Sequence, residues 1–326
     1  MAKLEVAVES WPIAGRFTIS RGSKTEARVV VVTIQEGAHW GRGECVPYAR
    51  YGESLESVVA EIDAQRWSLE RDPDRGALQR GMKPGAARNA LDCALWDLEA
   101  KRAGRRVWEL AGLPAPRALE TAYTLSLGSV EEMAAAARAA ADRPLLKLKL
   151  SGPGDLERVR AVREGAPKAR LVADANEAWT PAIFAELSPK LRELAVELIE
   201  QPLPAGADDE LANLPHPVPV CADESCHDRA SLAGLTRKYD AVNIKLDKTG
   251  GLTEALALMA AAQEAGLAVM VGCMVATSLS MAPAMLVGQG ARWVDLDGPL
   301  LLAKDRVPGL EYHGSLVAPP PAALWG

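Results

Sequence analysis

The chain predicts an α/β protein in which a small α+β domain precedes a (β/α)8-type barrel. Two observations carry that expectation. Lys149, Asp174, Glu200, Asp223 and Lys245 each end or follow a short apolar run, at successive gaps of 25, 26, 23 and 22 residues. A strand, a crossover helix and two loops use that length of chain, so five consecutive βα units would deliver a charge to one rim. Ahead of Gly112 the rhythm differs, with strand-like runs followed by helical ones.

The elements follow in order. Residues 3–10 and 28–35 alternate or run β-branched, and Glu36-Gly37-Ala38 turns into a third short strand ending near Glu44. These make an antiparallel meander. A helical pattern runs from Ser54, a plausible cap, to Trp67. Another spans Pro84 to Ala103, with Ala90, Leu91, Ala94, Leu95 and Leu98 on one face, Pro84 in its first turn and Gly104 at its end. The first domain is thus residues 1–112, closed by the linker Gly112-Leu113-Pro114-Ala115-Pro116.

Residues 113–300 alternate instead. Strand candidates are 120–126, 145–150, 170–174, 196–200, 218–222, 241–246, 267–272 and 292–296, with helical patterns between most of them, clearest at Glu131–Ala141 and Thr253–Gly266. A doubly wound sheet explains the recurrence less well, because an open sheet gathers ligands at its reversal point. The segment 301–326 has little pattern and is expected to return to the first domain.

Composition narrows the function. A net charge of −6 and a pI near 5.5 argue against a broad nucleic-acid surface. Cys45, Cys93, Cys221, Cys226 and Cys273 have no paired CxxC spacing and suit a reducing, cytoplasmic compartment. The N-terminus has no export pattern. Residues 265–291 carry no charge over a length that would cross a bilayer, yet Thr277, Ser278, Ser280, Pro283 and Gln289 interrupt them. A buried βα unit is expected there, and no membrane partner.

Two lysines flanking three carboxylates suit metal-assisted proton abstraction beside a carboxylate. Lys147 and Lys149 lie two apart on one strand, so their side chains leave one face. The alternative is an edge strand guarded by lysines. Asp174 pairs with Asn176 by the same spacing. Three oxygen donors from neighbouring strands suit Mg²⁺. Lys149 precedes the ligand strands and Lys245 follows them, so the two approach from opposite sides, and such surroundings can lower an ammonium pKa. Asp295 and Asp297 share a strand face and would bind a substrate ammonium, a capped turn being the alternative. Asn243 orients a lysine or satisfies backbone. Gly250-Gly251 offers a weak anion cradle.

With those residues in place, the chain resembles the muconate-lactonising-enzyme subgroup of the enolase superfamily, and within it the dipeptide epimerases. The resemblance spans essentially the whole chain and rests on KLK at Lys147–Lys149, DANEAW from Asp174, IEQPLP around Glu200, ADES around Asp223 and NIKLDKTGG from Asn243. It implies a modified (β/α)7β barrel under an N-terminal α+β capping domain. It also implies Asp174, Glu200 and Asp223 as Mg²⁺ ligands, Lys149 and Lys245 as the acid/base pair, and Lys147 supporting the substrate carboxylate. DLDGP at Asp295–Pro299 and GCMVATS, with Met274 and Thr277, resemble Ala-Glu epimerases in particular. Loops around Phe17–Gly22 and Tyr48–Glu53 would then contact the second residue, with Arg21 on a glutamate carboxylate and Arg16 as its competitor.

The expected reaction is inversion of the α-carbon of a dipeptide's C-terminal residue, L-Ala-L-Glu to L-Ala-D-Glu, in peptidoglycan peptide metabolism. Rivals are another dipeptide with an apolar or cationic second residue, N-acylamino-acid racemisation, o-succinylbenzoate synthesis, and a non-catalytic peptide-binding barrel. A homo-oligomer is left open.

Overall fold

The computed structural model describes residues 1–326. β1 (Lys3–Ile19), β2 (Gly22–Glu36) and β3 (His39–Cys45) form the expected meander. Its first two strands run far past the segments with a strand signal. Beyond a register shift between Pro12 and Phe17, the β1–β2 hairpin leaves its own core, and Gly22–Glu26 are exposed. That end has no buried face and therefore no period-two pattern. The run Val29–Val32 is apolar at every position because both faces are covered: Val30 and Val32 join the helices of the first domain, while Val29 and Val31 join the barrel core.

Helices α1 (Leu55–Ala64), α2 (Arg66–Arg71), α3 (Arg75–Gly81), α4 (Ala86–Ala103) and α5 (Val107–Leu110) complete this half. Ser54 caps α1, its hydroxyl accepting the Ser57 amide at 3.1 Å. α4 starts two residues after Pro84, behind Gly85, so the proline precedes the helix rather than filling its first turn. Gly104 ends it in the left-handed conformation, as expected.

The second half opens with β4 (Leu119–Glu120) and then alternates through β5 (Tyr123–Leu125), α6 (Val130–Ala139), β6 (Leu145–Lys149), α7 (Asp155–Gly165), β7 (Arg170–Asp174), α8 (Pro181–Glu193) and β8 (Val196–Glu200). It continues through β9 (Val220–Ala222), β10 (Ala241–Ile244), α9 (Leu246–Thr249), α10 (Leu252–Glu264), β11 (Ala268–Val271), α11 (Ser278–Gly288) and β12 (Trp293–Val294). Short 3-10 turns, Asp209–Asn213 and Arg229–Gly234, replace the helices after β8 and β9. β5 to β12 form one parallel sheet in sequence order. It closes on itself where the Ala122 amide donates to Val294 O and the Leu296 amide to Thr121 Oγ1, each at 2.8 Å. After β12 comes only the four-residue α12 (Gly298–Leu301), which makes the barrel (β/α)7β.

The sequence alternation sorts the barrel into layers. Leu145, Val172, Leu198, Cys221, Ala241, Met270 and Trp293 pack together as an apolar plug. Two or four residues further along the same strands, on the same face, stand Lys147, Lys149, Asp174, Glu200, Asp223, Asn243 and Lys245. Their outward neighbours Leu146, Leu148, Ala173, Ile199, Ala222 and Val242 belong to the core under the helices. The uncharged 265–291 span is β11 and α11, and no helix is long and apolar enough to cross a membrane.

Beyond α12, β13 (Tyr312–His313) pairs with β14 (Leu316–Val317), and β14 pairs with β4. The last residues lie against α4, with Trp325 Nε1 donating to Cys93 O at 3.0 Å and the Gly326 amide to Asp97 Oδ1 at 2.8 Å.

Candidate active site

A cavity of about 1020 Å³ lies between the hairpin, residues 46–56 and the carboxyl ends of the barrel strands. Lys149, Lys245, Asp223, Asn176, Asp295 and Asp297 line it, with Arg21, Tyr48, Arg50 and Tyr51 from above.

At and beneath its floor, lysines and carboxylates alternate, with Lys147, Asp174 and Glu200 buried below the lining residues. Lys149 Nζ meets Asp174 Oδ2 at 2.6 Å, and Lys245 Nζ meets Asp223 Oδ2 at 2.6 Å. Lys147, 1% exposed, lies 2.7 Å from both Glu200 Oε2 and Asp295 Oδ2 and 3.3 Å from Asp174 Oδ2. β6 and β10 stand four strands apart in a sheet of eight, so Lys149 and Lys245 reach the cavity from opposite walls. Asn243 serves neither lysine: its Nδ2 donates to Glu200 Oε1 at 2.7 Å. The Asn176 amide donates to Asp174 Oδ1 at 2.9 Å, fixing that carboxylate.

The charges tune one another. Burial raises Asp174, but Lys149 and Lys147 outweigh it and hold the carboxyl at about 2. Burial likewise opposes ionisation of Asp223, yet Lys245 and Lys248 keep it well below the usual range. Burial and Asp174 together push Glu200 up to about 7. Lys245 was expected to be lowered by its cationic neighbours. Burial, the largest single influence, and Lys147 do act that way, but Asp223, Glu200 and Tyr51 together outweigh them and raise it.

Asp174, Glu200 and Asp223 come from three adjacent strands and offer only carboxylate oxygens, the donor type that Mg²⁺ prefers. In this arrangement no three acidic groups enclose a single point, because each carboxylate leans toward a lysine. Glu200 Oε2 nevertheless lacks a hydrogen bond: Lys147 is 2.7 Å away but not in bonding geometry. A buried, unsatisfied carboxylate oxygen beside two more carboxylates fits a divalent ion.

Asp295 and Asp297 lie just past β12, 4% and 2% exposed. Asp295 Oδ1 faces no donor, while Asp297 Oδ2 accepts the Thr124 amide at 2.6 Å. Burial, and then Asp295, push Asp297 up to about 7. Arg21 occupies the two-residue turn of the hairpin and donates to Glu224 Oε1 at 2.7 Å, Glu177 Oε2 at 3.0 Å and Tyr48 OH at 3.0 Å. Arg16 is exposed and away from the cavity lining.

Met274 lines the cavity; Thr277 is outside its lining, and its amide and hydroxyl donate to Glu44 of β3, at 2.8 and 2.5 Å, joining barrel to cap. Close packing accounts for Gly250-Gly251 without the anion cradle that the sequence suggested. A Cβ on Gly250 would sit 2.5 Å from Arg88 Nε, and one on Gly251 2.4 Å from Asp92 Oδ2, so the pair exists to let α4 approach.

Three contributors carried no sequence signal. Lys248 is fully buried and spends its three protons on Asp223 Oδ1 at 2.6 Å, Asn243 O at 2.9 Å and Asp223 O. Arg50 grips Glu177 bidentately at 2.7 and 2.8 Å. Gln201 Oε1 accepts the Asp223 amide at 2.8 Å and sets that strand end. These pairings join residues distant in sequence. Position alone hinted at two of the contributors, since Lys248 and Gln201 lie inside the NIKLDKTGG and IEQPLP motifs.

Known proteins resemble this chain in sequence and in fold. Residues 1–112 match the model of the mandelate racemase / muconate lactonizing enzyme N-terminal domain, and residues 130–320 match the enolase C-terminal domain-like model. The L-Ala-D/L-Glu epimerase of Escherichia coli (strain K12) is 46% identical over 314 residues, covering 96% of this chain and 98% of that one. The N-acetyl-D-glutamate racemase of a Pseudoalteromonas species is 44% identical over 300 residues, covering 91% and 95%. A crystal structure of an enolase family member from Agrobacterium tumefaciens, with homology to dipeptide epimerases and with bound sodium and L-Ala-L-Glu, is 54% identical. It superposes with a TM-score of 0.98 over 100% of both chains. By sequence and fold, the chain belongs to the mandelate racemase / muconate lactonizing enzyme family of the enolase superfamily.

Proposed function

We propose that this protein is a Mg²⁺-dependent dipeptide epimerase that inverts the α-carbon of the C-terminal residue, converting L-Ala-L-Glu and L-Ala-D-Glu into one another. The observation that carries the reading is the approach of Lys149 and Lys245 from opposite walls of one cavity, with three carboxylates between them. Two bases facing one carbon allow a proton to leave one face and return on the other.

Asp174, Glu200 and Asp223 would hold Mg²⁺, which polarises the substrate carboxylate and stabilises the charge that builds when the α-proton leaves. Lys147 stays an ammonium: burial works against it, but Asp295, Glu200 and Asp174 hold it well above its ordinary range. Buried among Asp295, Glu200 and Asp174, it would serve as a fixed positive charge for the substrate carboxylate. One of Lys149 and Lys245 enters neutral and takes the α-proton, leaving the bonding pair on the carboxylate. The other enters as the ammonium and gives its proton to the opposite face. Asp295 and Asp297 would take the N-terminal ammonium, and Arg21 the second residue's side-chain carboxylate. An L-Ala-D-Glu product would belong to peptidoglycan peptide metabolism, and five free cysteines suit a reducing cytoplasm.

A second substrate class has support as well. Asp295 is already paired with Lys147 at 2.7 Å and Asp297 is raised to about 7, so this end of the cavity is less anionic than two free carboxylates. An N-acylated glutamate would suit it, and a relative 44% identical is an N-acetyl-D-glutamate racemase.

Single-lysine variants test the chemistry. Lys149→Ala and Lys245→Ala should each lose epimerisation by about a thousandfold. Each should still exchange the α-proton of one diastereomer with solvent, and of opposite diastereomers. A variant that still epimerises, or two variants exchanging the same diastereomer, would refute the two-base reading.

A further inference from the structure

Asp247 is a buried carboxyl that the proposed chemistry does not use. It stands two residues after Lys245, in the first turn of α9, and is 5% exposed. Its Oδ1 accepts two bonds from the capping half, the Val46 amide at 3.0 Å and Asn89 Nδ2 of α4 at 2.9 Å. Asn89 is itself held, by Glu44 O at 3.4 Å and by the Cys93 thiol at 3.3 Å. Both donors are nearly inaccessible, Val46 at 6% and Asn89 at 1%.

Val46 is where the cap sheet ends. The last β2–β3 pair is Val30 with Cys45, so the Val46 amide has left the ladder, and Asp247 is its sole acceptor. The chain from Val46 onward forms the roof of the cavity, carrying Tyr48, Arg50 and Tyr51. Further along, Glu53 steadies that roof through the Tyr48 and Ala86 amides at 3.0 and 2.8 Å, and Tyr51 packs edge-on against His227 at 4.7 Å. Only Asp247 ties its first residue to the strand end that bears Lys245.

We propose that Asp247 is a positioning residue, a spacer that sets the height of the 46–56 roof above Lys245 and thereby the fit of the substrate's second residue. The inference rests on the epimerase reading. A single acceptor oxygen performs the task, so an asparagine, which keeps that oxygen, should replace it. Burial holds the carboxyl up at about 7, consistent with a group that serves as an acceptor rather than as a charge. The sequence neighbour Lys248 faces the other way, onto Asp223, so the consecutive residues of one turn serve roof and floor separately.

The test compares Asp247→Ala and Asp247→Asn with wild type, all as full-length Mg²⁺-loaded protein. For the alanine variant, KM for L-Ala-L-Glu should rise about tenfold while kcat and Mg²⁺ affinity by calorimetry stay within about twofold. Without substrate, hydrogen–deuterium exchange should accelerate in peptides covering 46–56 and not in those covering 170–176. Asp247→Asn should match wild type on every readout. Unchanged exchange at 46–56 in the alanine variant, a parallel loss of kcat and Mg²⁺ affinity, or an asparagine variant as impaired as alanine would overturn the proposal. Should Asp247→Ala fail to fold, Asp247→Ser gives the same comparison, its shorter side chain falling short of the Val46 amide. If wild type itself leaves L-Ala-L-Glu untouched, the substrate assignment fails, and exchange at 46–56 still decides the role of Asp247.

Discussion

Asp297 shows how far one residue's surroundings set its task. Burial and Asp295 raise it to about 7, so below that pH it is neutral in the free protein. An incoming ammonium favours the ionised form, and binding at lower pH must expel a proton. KM for L-Ala-L-Glu should therefore fall as pH rises from about 6 through about 7 and level off above. Asp297→Asn should abolish that dependence and raise KM about a hundredfold, since it removes one charged partner of a buried contact. An N-acylated glutamate should lose little in the same variant. Steady-state kinetics on both substrates across pH checks all three statements. A pH-independent KM in wild type would remove Asp297 from the ammonium site. Residues of this kind were legible because each sits where a strand's alternation ends in a charge, at a spacing that repeats. Arg21 was legible only as a position. Its partners Glu177 and Glu224 lie 156 and 203 residues away, and no local pattern encodes such contacts.

At the scale of elements, the hairpin and the clamp beneath it divide specificity from stability. Arg21 at the hairpin tip already pairs with two carboxylates, so a glutamate side chain reaching it would join an existing cluster rather than meet a free cation. Arg21→Ala should raise KM for L-Ala-L-Glu about tenfold and leave L-Ala-L-Leu nearly unchanged. Equal loss on both peptides would mean that Arg21 only holds the hairpin down. Behind the site, Arg306 pairs with Glu44 and Glu9, each at 2.6 Å, and Glu44 is 1% exposed. Arg306→Ala leaves that carboxylate buried without its cation and should cost about 3 kcal/mol in urea unfolding. A change within about 0.5 kcal/mol would show that the Thr277 bonds suffice. The sequence announced the meander, α4 and most of the barrel units, because their apolar positions face one side. It did not announce the hairpin's length, whose far end has no fully buried residue, nor the 3-10 turns after β8 and β9, where strand spacing alone cannot distinguish a helix from a turn.

For the whole molecule, the layering explains why catalysis and stability coexist in one barrel. Leu145, Val172, Leu198, Cys221, Ala241, Met270 and Trp293 fill the lower interior, and the upper interior is left to charges that would be costly unless they matched one another. A divalent ion would complete that match, so Mg²⁺ at a hundred times its Kd should add about 2.7 kcal/mol of stability, read as a rise in Tm that EDTA reverses. A Tm indifferent to Mg²⁺ would contradict the ligand set. The central claim, inversion at the α-carbon of a dipeptide's second residue, is tested most directly by proton NMR of the Mg²⁺-loaded protein with L-Ala-L-Glu in D₂O. The account predicts loss of the glutamate α-proton signal together with growth of the L-Ala-D-Glu diastereomer. An α-proton that persists in the presence of folded, Mg²⁺-binding protein would contradict it.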